Sequence, residues 1–195
     1  ALYFTPASLA AAILNNGSGP ITFTGGSFTA PYGTPASATT QRLTLGGSSD
    51  MTISGKIQNA NGSSYLTAVV KTNANTVTLA AANTYSGGTT IAGGTLQLGD
   101  GTSGRDGTVL GSILNNAALV YNLYSTQTVG NVISGSGSVT KTGGGTLTLA
   151  SENSYAGVTT ISGGTLRLGS PSAITNTGAI RSEERRVGKE CRSRW

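Results

Sequence analysis

Few side chains in this sequence are suited to acid–base or metal chemistry. The 195 residues include no histidine, the commonest general base and metal ligand, and only seven acids. Four of these acids precede residue 181: Asp50, Asp100, Asp106 and Glu152. Polysaccharide lyases and hydrolases need paired carboxylates, and these four do not recur at a spacing that would pair them. The residues therefore predict a protein that is not an enzyme.

The segment GDGTSGRDG, at 99–107, has the composition of a calcium-binding loop. If it bound Ca²⁺, Asp100 and Asp106 would be the candidate ligands. Nonapeptide calcium repeats, however, need several tandem copies, and here there is one irregular copy with Arg105 inside it. The pattern favours a plain solvated loop, and we predict no metal and no cofactor.

Positive charge is concentrated at the end of the chain. Residues 181–195, RSEERRVGKECRSRW, hold six of the twelve basic residues, and residues 1–180 carry a net charge of only +2. A nearly neutral body gives no case for a nucleic-acid partner. The final segment also resembles a translated sequencing adapter. We therefore predict a natural repeat region at 1–180, continuing beyond Ile180 in the natural protein, and a non-native tail at 181–195, disordered or helical.

Two stretches of the body are near copies of each other. Residues 74–99 and 144–169 align without gaps at an offset of 70, with 16 of 26 positions identical. Within each copy a short alternating apolar pattern returns at the same interval: Val77 and Leu79 recur as Leu96 and Leu98, and Leu147 and Leu149 recur as Leu166 and Leu168. This return predicts an all-β parallel β-solenoid of about 19–22 residues per coil. Loops are predicted around Pro31 and Pro35 and at 59–64.

The residue types in each copy suit positions in such a coil. The leucines would fill a narrow core, and the glycine pairs would form tight corners. Asn83 and Asn153 would hydrogen-bond the turn backbone, while Tyr85 and Tyr155 would cover the core beside them. Two alternatives remain: the tyrosines could stack on a sugar, and the threonines of TVT and TLT could form an ice-binding array, although Gln97 and Arg167 interrupt its rows. The predicted structural repeat residues are Asn83, Tyr85, Gly93, Gly94, Leu96, Leu98, Asn153, Tyr155, Gly163, Gly164, Leu166 and Leu168.

The pattern from Gly135 to Gly169 resembles the autotransporter-associated β-strand repeat, with Lys141, Asn153, Tyr155 and Gly163 at matching positions. The upstream copy departs from it in its first half, where KTNANTVTL replaces KTGGGTLTL. The best-matched repeats are 50–99 and 133–169. The resemblance implies a right-handed parallel β-helix from the passenger of a large bacterial surface protein. No catalytic residues define such repeats.

The same resemblance sets the functional expectation. It implies a structural or adhesive segment, exposed at the bacterial outer-membrane surface or secreted, that acts as a stalk or display scaffold. Its partners would be a host or neighbouring-cell surface, glycans or matrix, and a C-terminal translocator barrel in the full-length chain. The alternative is part of a polysaccharide-binding or polysaccharide-degrading β-helix protein.

Overall fold

A computed structural model describes residues 10–28, 40–59, 65–175 and 179–182. Strands and turns account for this part of the chain, which contains no helix and therefore none that could span a membrane. The predicted loop around Pro31 and Pro35, all but Asn59 of the predicted loop at 59–64, and the tail from residue 183 onward lie outside the described residues. The described part of the tail, Arg181 and Ser182, belongs to a strand.

The strands, in chain order, are β1 (Ala10–Asn15), β2 (Ile21–Phe23), β3 (Ser27–Phe28), β4 (Thr40–Gly47), β5 (Met51–Ile53), β6 (Lys56–Ile57), β7 (Leu66–Lys71), β8 (Thr76–Leu79), β9 (Thr89–Ile91), β10 (Thr95–Leu98), β11 (Ile113–Asn115), β12 (Ala118–Asn122), β13 (Gln127–Val129), β14 (Ile133–Ser134), β15 (Ser138–Thr142), β16 (Thr146–Leu149), β17 (Thr159–Ile161), β18 (Thr165–Leu168) and β19 (Ile180–Ser182).

These strands form the three faces of a parallel β-solenoid. The first face is a six-stranded sheet in the order β1-β4-β7-β9-β11-β14. The second is an eight-stranded sheet running from β2 to β19, and the third consists of the pairings β3-β6 and β13-β16-β18. All pairings are parallel, and the chain visits the faces in a fixed order. The predicted solenoid is confirmed, while its handedness stays a prediction.

The register confirms the return of the apolar pattern within each copy. Val77 pairs with Leu96, and Leu147 pairs with Leu166. Paired residues from Val69 onward are 19 to 24 apart. The pairings before it are 26 to 32 apart, so the first coils are longer than predicted. The added residues lie in the connections between strands, which a solenoid tolerates without a change in its core.

The core is a narrow column of alternate side chains from all three faces. In strands such as β12 and β15, buried positions alternate with partly exposed ones. Leu43, Val77, Leu119 and Leu147 are all fully buried. Complete burial of one such side chain contributes about 1.5–3 kcal/mol, and each added coil extends the same column.

The two sequence copies do not lie one above the other on the same face. Three coils lead from Val69 through its successive partners to Ile133 on the first face. The counterpart of Val69 in the second copy is Val139, which lies further along the chain than Ile133. The second copy therefore starts one face further round. Strand β7 lies on the first face and its counterpart β15 lies on the second, while β8 and its counterpart β16 lie on the second and third faces.

Candidate functional site: the repeat motif

The asparagine of the second copy links three successive coils. The Asn153 Oδ1 accepts a hydrogen bond from the Ile133 amide at 2.8 Å, one coil earlier. Its Nδ2 donates to the Ser151 carbonyl at 2.8 Å in its own turn and to the Ala173 carbonyl at 2.7 Å one coil later. Asn153 is buried, so every polar atom of its amide group acts inside the protein.

The first copy repeats this arrangement on a different face. The Asn83 Oδ1 accepts from the Ile57 amide at 2.9 Å, and its Nδ2 donates to the carbonyls of Ala81 at 2.9 Å and Thr108 at 2.8 Å. The predicted hydrogen bonds to the turn backbone are present in both copies. The sequence did not predict that they also reach the preceding and following coils.

The repeat tyrosines are core residues. Tyr85 and Tyr155 are both 0% exposed, and their hydroxyl groups hydrogen-bond the Oγ1 atoms of Thr89 at 2.8 Å and Thr159 at 2.7 Å. Burial raises the pKa of both phenols, and the threonine hydrogen bonds partly offset this. A ring with no exposed surface cannot stack on a sugar, so the packing interpretation is the correct one.

The glycine pairs form the corners that lead into β10 and β18. The second glycine of each pair has a left-handed backbone, with φ of 64° at Gly94 and 63° at Gly164, whereas Gly93 and Gly163 do not. A Cβ on Gly94 would lie 2.4 Å from the Asn73 carbonyl oxygen of the preceding coil. Glycine is therefore required there both by conformation and by the close approach of two backbones.

The leucines of the two copies differ in burial. Leu96 and Leu98 are fully buried as predicted, but Leu166 is half-buried and Leu168 is 48% exposed. Strand β18, which carries the second pair, is at the edge of its sheet and pairs only with β16. The prediction that Leu168 is a core residue is wrong here, because no further strand covers that position within the described residues.

Two buried lysines are part of the motif, and no role for them was predicted from the sequence. Lys71 and Lys141 are both 0% exposed. The Lys71 Nζ donates to the carbonyls of Thr72 at 2.5 Å, Asn73 at 2.9 Å and Gly93 at 3.1 Å. Burial lowers the pKa of Lys71 to about 8, and the charge of Asp50 partly offsets this.

Lys141 has the same arrangement in the second copy. Its Nζ donates to the carbonyls of Thr142 at 2.6 Å, Gly143 at 2.9 Å and Gly163 at 3.3 Å. Burial lowers the pKa of this lysine as well, and Asp106 partly offsets the effect. The sequence did contain a signal for this burial. Each lysine lies two positions after a core valine of the same strand, so the alternation of side chains along the strand directs the lysine inward as well.

The two aspartates considered as calcium ligands are engaged within the chain. Asp100 accepts hydrogen bonds from Thr102 and from the Arg105 Nε, at 2.5 Å for the ion pair. Burial alone would raise the pKa of Asp100, but these hydrogen bonds and the Arg105 charge together lower it below its usual value. Asp106 accepts from the amides of Tyr124 and Ser125. Across the described residues no three acidic or thiol side chains are grouped as a metal site would require.

The threonines of the proposed ice-binding array lie on two faces. Thr76 and Thr78 are on the second face, where Gln97 is the partner of Thr78. Thr146 and Thr148 are on the third face, where Arg167 pairs with Thr148. Both interruptions predicted from the sequence are therefore present at the positions next to the threonines, and the two pairs do not form one array.

Comparison with known proteins agrees with this geometry. Residues 69–98 and 139–168 match the passenger-associated transport repeat family. A 57-residue stretch is 49% identical to the adhesin BmaC autotransporter of Brucella suis biovar 1 (strain 1330). That stretch is 29% of this chain and spans 2% of the length of the Brucella protein. No solved structure matches the chain significantly.

Proposed function

Because this chain is an autotransporter passenger repeat protein, we propose that it serves as a rigid stalk or display scaffold that carries other parts of a surface protein. Its family places it outside the cell, at the outer-membrane surface. The supporting observation is that the recurring Asn153 and Lys141 side chains bond neighbouring coils, while Tyr155 bonds Thr159 within its own coil. Asn153, Tyr155 and Lys141 are buried, so none of their own polar groups is available to a ligand.

A scaffold of this kind has a definite length. The second face contains eight strands, one for each successive coil. At a strand spacing of about 4.8 Å, the seven intervals between them give a rise of about 34 Å. Length follows directly from the number of coils, and stability grows with each added coil, so the design suits a spacer between a membrane and a displayed module.

Partners and enzymatic activity follow from the same proposal. The adhesin name of the Brucella relative supports contact with a host or neighbouring-cell surface, glycans or matrix, mediated by the protein that this scaffold carries. An outer-membrane translocator is the expected export partner of the full-length chain. We expect no enzymatic activity from this segment, since its acidic residues Asp100 and Asp106 bond the chain itself.

Surface display tests the scaffold role. The chain would be fused between an outer-membrane anchor and an N-terminal epitope, and the height of the epitope above the membrane would be measured by super-resolution or fluorescence-quenching methods. The control is a shuffled sequence of the same composition. We expect the epitope to stand at a fixed height about 34 Å greater than with the anchor alone, from seven strand intervals. A broad height distribution equal to that of the shuffled chain would contradict the proposal.

Polysaccharide binding is the second candidate function, and one feature favours it. A cleft of about 450 Å³ on the third face is lined by Thr108, Leu110, Gln127 and Asn131, among others. The Gln127 Oε1 in this cleft is buried without a hydrogen-bond partner among the described residues. Retardation of the chain in gels containing polysaccharides would support this function, provided that Gln127→Leu abolished the retardation. Equal migration with and without polysaccharide would exclude it.

A further inference from the structure

The ammonium groups of Lys71 and Lys141 occupy matching cages of backbone carbonyl groups. In each cage two carbonyls come from the corner that directly follows the lysine, and the third comes from a glycine one coil later. The Nζ to oxygen distances are 2.5, 2.9 and 3.1 Å in one copy and 2.6, 2.9 and 3.3 Å in the other. Two occurrences on different faces of the solenoid show that the cage belongs to the repeat.

The chemistry of the cage is that of a small cation site. A lysine ammonium has three N–H donors and no acceptor, so three carbonyls satisfy it completely. No carboxylate takes part in either cage among the hydrogen bonds of Lys71 and Lys141, so the positive charge is held by carbonyl dipoles alone. Convergent carbonyl oxygens are also the groups with which proteins bind potassium ions.

We propose that each repeat builds a backbone-carbonyl site for a monovalent cation, which the chain fills with its own lysine ammonium. The site closes only when the following coil is in place, because Gly93 or Gly163 supplies the third oxygen. Occupation by a cation thus couples one coil to the next. Without a cation, the converging carbonyl oxygens would lose their shared donor, which costs stability. The Thr142 oxygen would keep only its hydrogen bond from the Leu123 amide.

The site can be tested by emptying it. Lys141→Ala removes the ammonium and the side-chain stem and leaves room for a cation from solution. Thermal unfolding of this variant and of the wild-type chain would be followed in chlorides of ammonium, n-propylammonium, potassium and tetramethylammonium at equal ionic strength. Tetramethylammonium is the reference because it has no N–H donors and is too large for the cage. Lys56→Ala, in which an exposed lysine is removed, is the matched control.

We expect Lys141→Ala to melt well below the wild-type chain in tetramethylammonium chloride and to regain more than half of that loss in ammonium or n-propylammonium chloride. Wild type and Lys56→Ala should melt alike in all four salts. If Lys141→Ala does not fold in tetramethylammonium chloride, recovery of its strand circular dichroism in ammonium chloride is the supporting result. The same melting temperature, or the same unfolded spectrum, in every salt would overturn the proposal. Lys71→Ala repeats the test in the first copy.

Discussion

Asn153 makes hydrogen bonds between coils, which the apolar side chains of the motif cannot make. Its amide makes three hydrogen bonds, to Ile133, Ser151 and Ala173, and is buried with them. A net contribution of about 1 kcal/mol per bond is usual, and a buried group left without a partner costs more. Asn153 thus bonds its own coil to the coil before it and to the coil after it.

We therefore expect Asn153→Ala to lower the free energy of unfolding by about 3 kcal/mol, since one amide and two carbonyls lose their partner. Asn116→Ala is the control, because this exposed asparagine accepts one long hydrogen bond, from the Ser136 amide at 3.3 Å. It should cost less than about 0.5 kcal/mol. Urea titration followed by circular dichroism measures both. Equal midpoints for the two variants would contradict the bridging role.

The buried tyrosines provide a second pair of variants. Tyr155→Phe removes a hydroxyl that hydrogen-bonds Thr159, and it should cost about 1 kcal/mol. Tyr121→Phe should be neutral or stabilising, because the buried Tyr121 hydroxyl has no hydrogen-bond partner among the described residues. Thermal melts of the two variants measure this difference. A larger drop in melting temperature for Tyr121→Phe than for Tyr155→Phe would contradict the prediction.

Residue roles were predictable where the residue type has one dominant use. Asparagine and glycine in a corner, and leucine in alternation, led to the correct positions for Asn83, Gly94 and Leu96. Lys71 and Lys141 were missed because a charged side chain is normally placed outside, although alternation with the core valine of each strand pointed both inward. The carbonyl cage that makes this burial possible is formed by backbone atoms and leaves no trace in the sequence.

At the corners between strands, the backbones of successive coils approach each other closely. At some of these positions only glycine leaves enough space. The corner between β15 and β16 consists of three glycines, of which Gly144 and Gly145 can be compared directly. A Cβ on Gly145 would lie 2.1 Å from the Ser125 carbonyl oxygen of the previous coil, whereas a Cβ on Gly144 would meet nothing within 4 Å. Neither has a positive φ, so the difference between them is steric.

Gly145→Ala should therefore destabilise the protein by about 2–3 kcal/mol, since the two backbones must move apart. Gly144→Ala, at the preceding position, should be neutral or slightly stabilising because it restricts only the unfolded chain. Chemical denaturation of this neighbouring pair measures the difference. A Gly144→Ala variant that is as unstable as Gly145→Ala would show that the coils do not approach as described.

The register of the strand pairs could be predicted from the sequence, but the face of the solenoid on which each strand lies could not. The return of the apolar pattern gave the pairing of Val77 with Leu96 and of Leu147 with Leu166. The face depends on the length of every connection in between, and the connection between β10 and β11 is longer than any within the repeat. This length carries no apolar pattern, so the rotation of the second copy by one face could not be predicted.

For the whole molecule, the buried titratable groups predict an unusual pH dependence. Lys71 has a pKa of about 8 in the folded protein, below its unfolded value of 10.5. Between these values the unfolded chain binds a proton that the folded one has lost, so raising the pH stabilises the fold. The tyrosines act oppositely: above about pH 10 the unfolded phenols ionise, whereas burial raises the pKa of Tyr85, Tyr121 and Tyr155 in the folded protein.

We therefore expect the melting temperature to rise between about pH 8 and pH 10 and to fall above that range. Lys71→Met should reduce the rise but leave the fall, since it removes only the lysine titration. Calorimetric scans across this range in wild type and variant give the measurement. A melting temperature that decreases steadily from pH 7 upward would contradict the burial of both lysines.

The chain is a three-faced solenoid whose second repeat is rotated by one face. Disulfide trapping detects this rotation, in a background in which Cys191 is replaced by serine. Val120 and Thr140 are paired on the second face in the row that contains Thr78, whereas Thr148, the sequence counterpart of Thr78, lies on the third face. Cysteines at 120 and 140 should form an intramolecular disulfide readily. Cysteines at 120 and 148, which an unrotated second repeat would place side by side, should not form one, because of the rotation. Efficient trapping of the second pair, or none of the first, would contradict it.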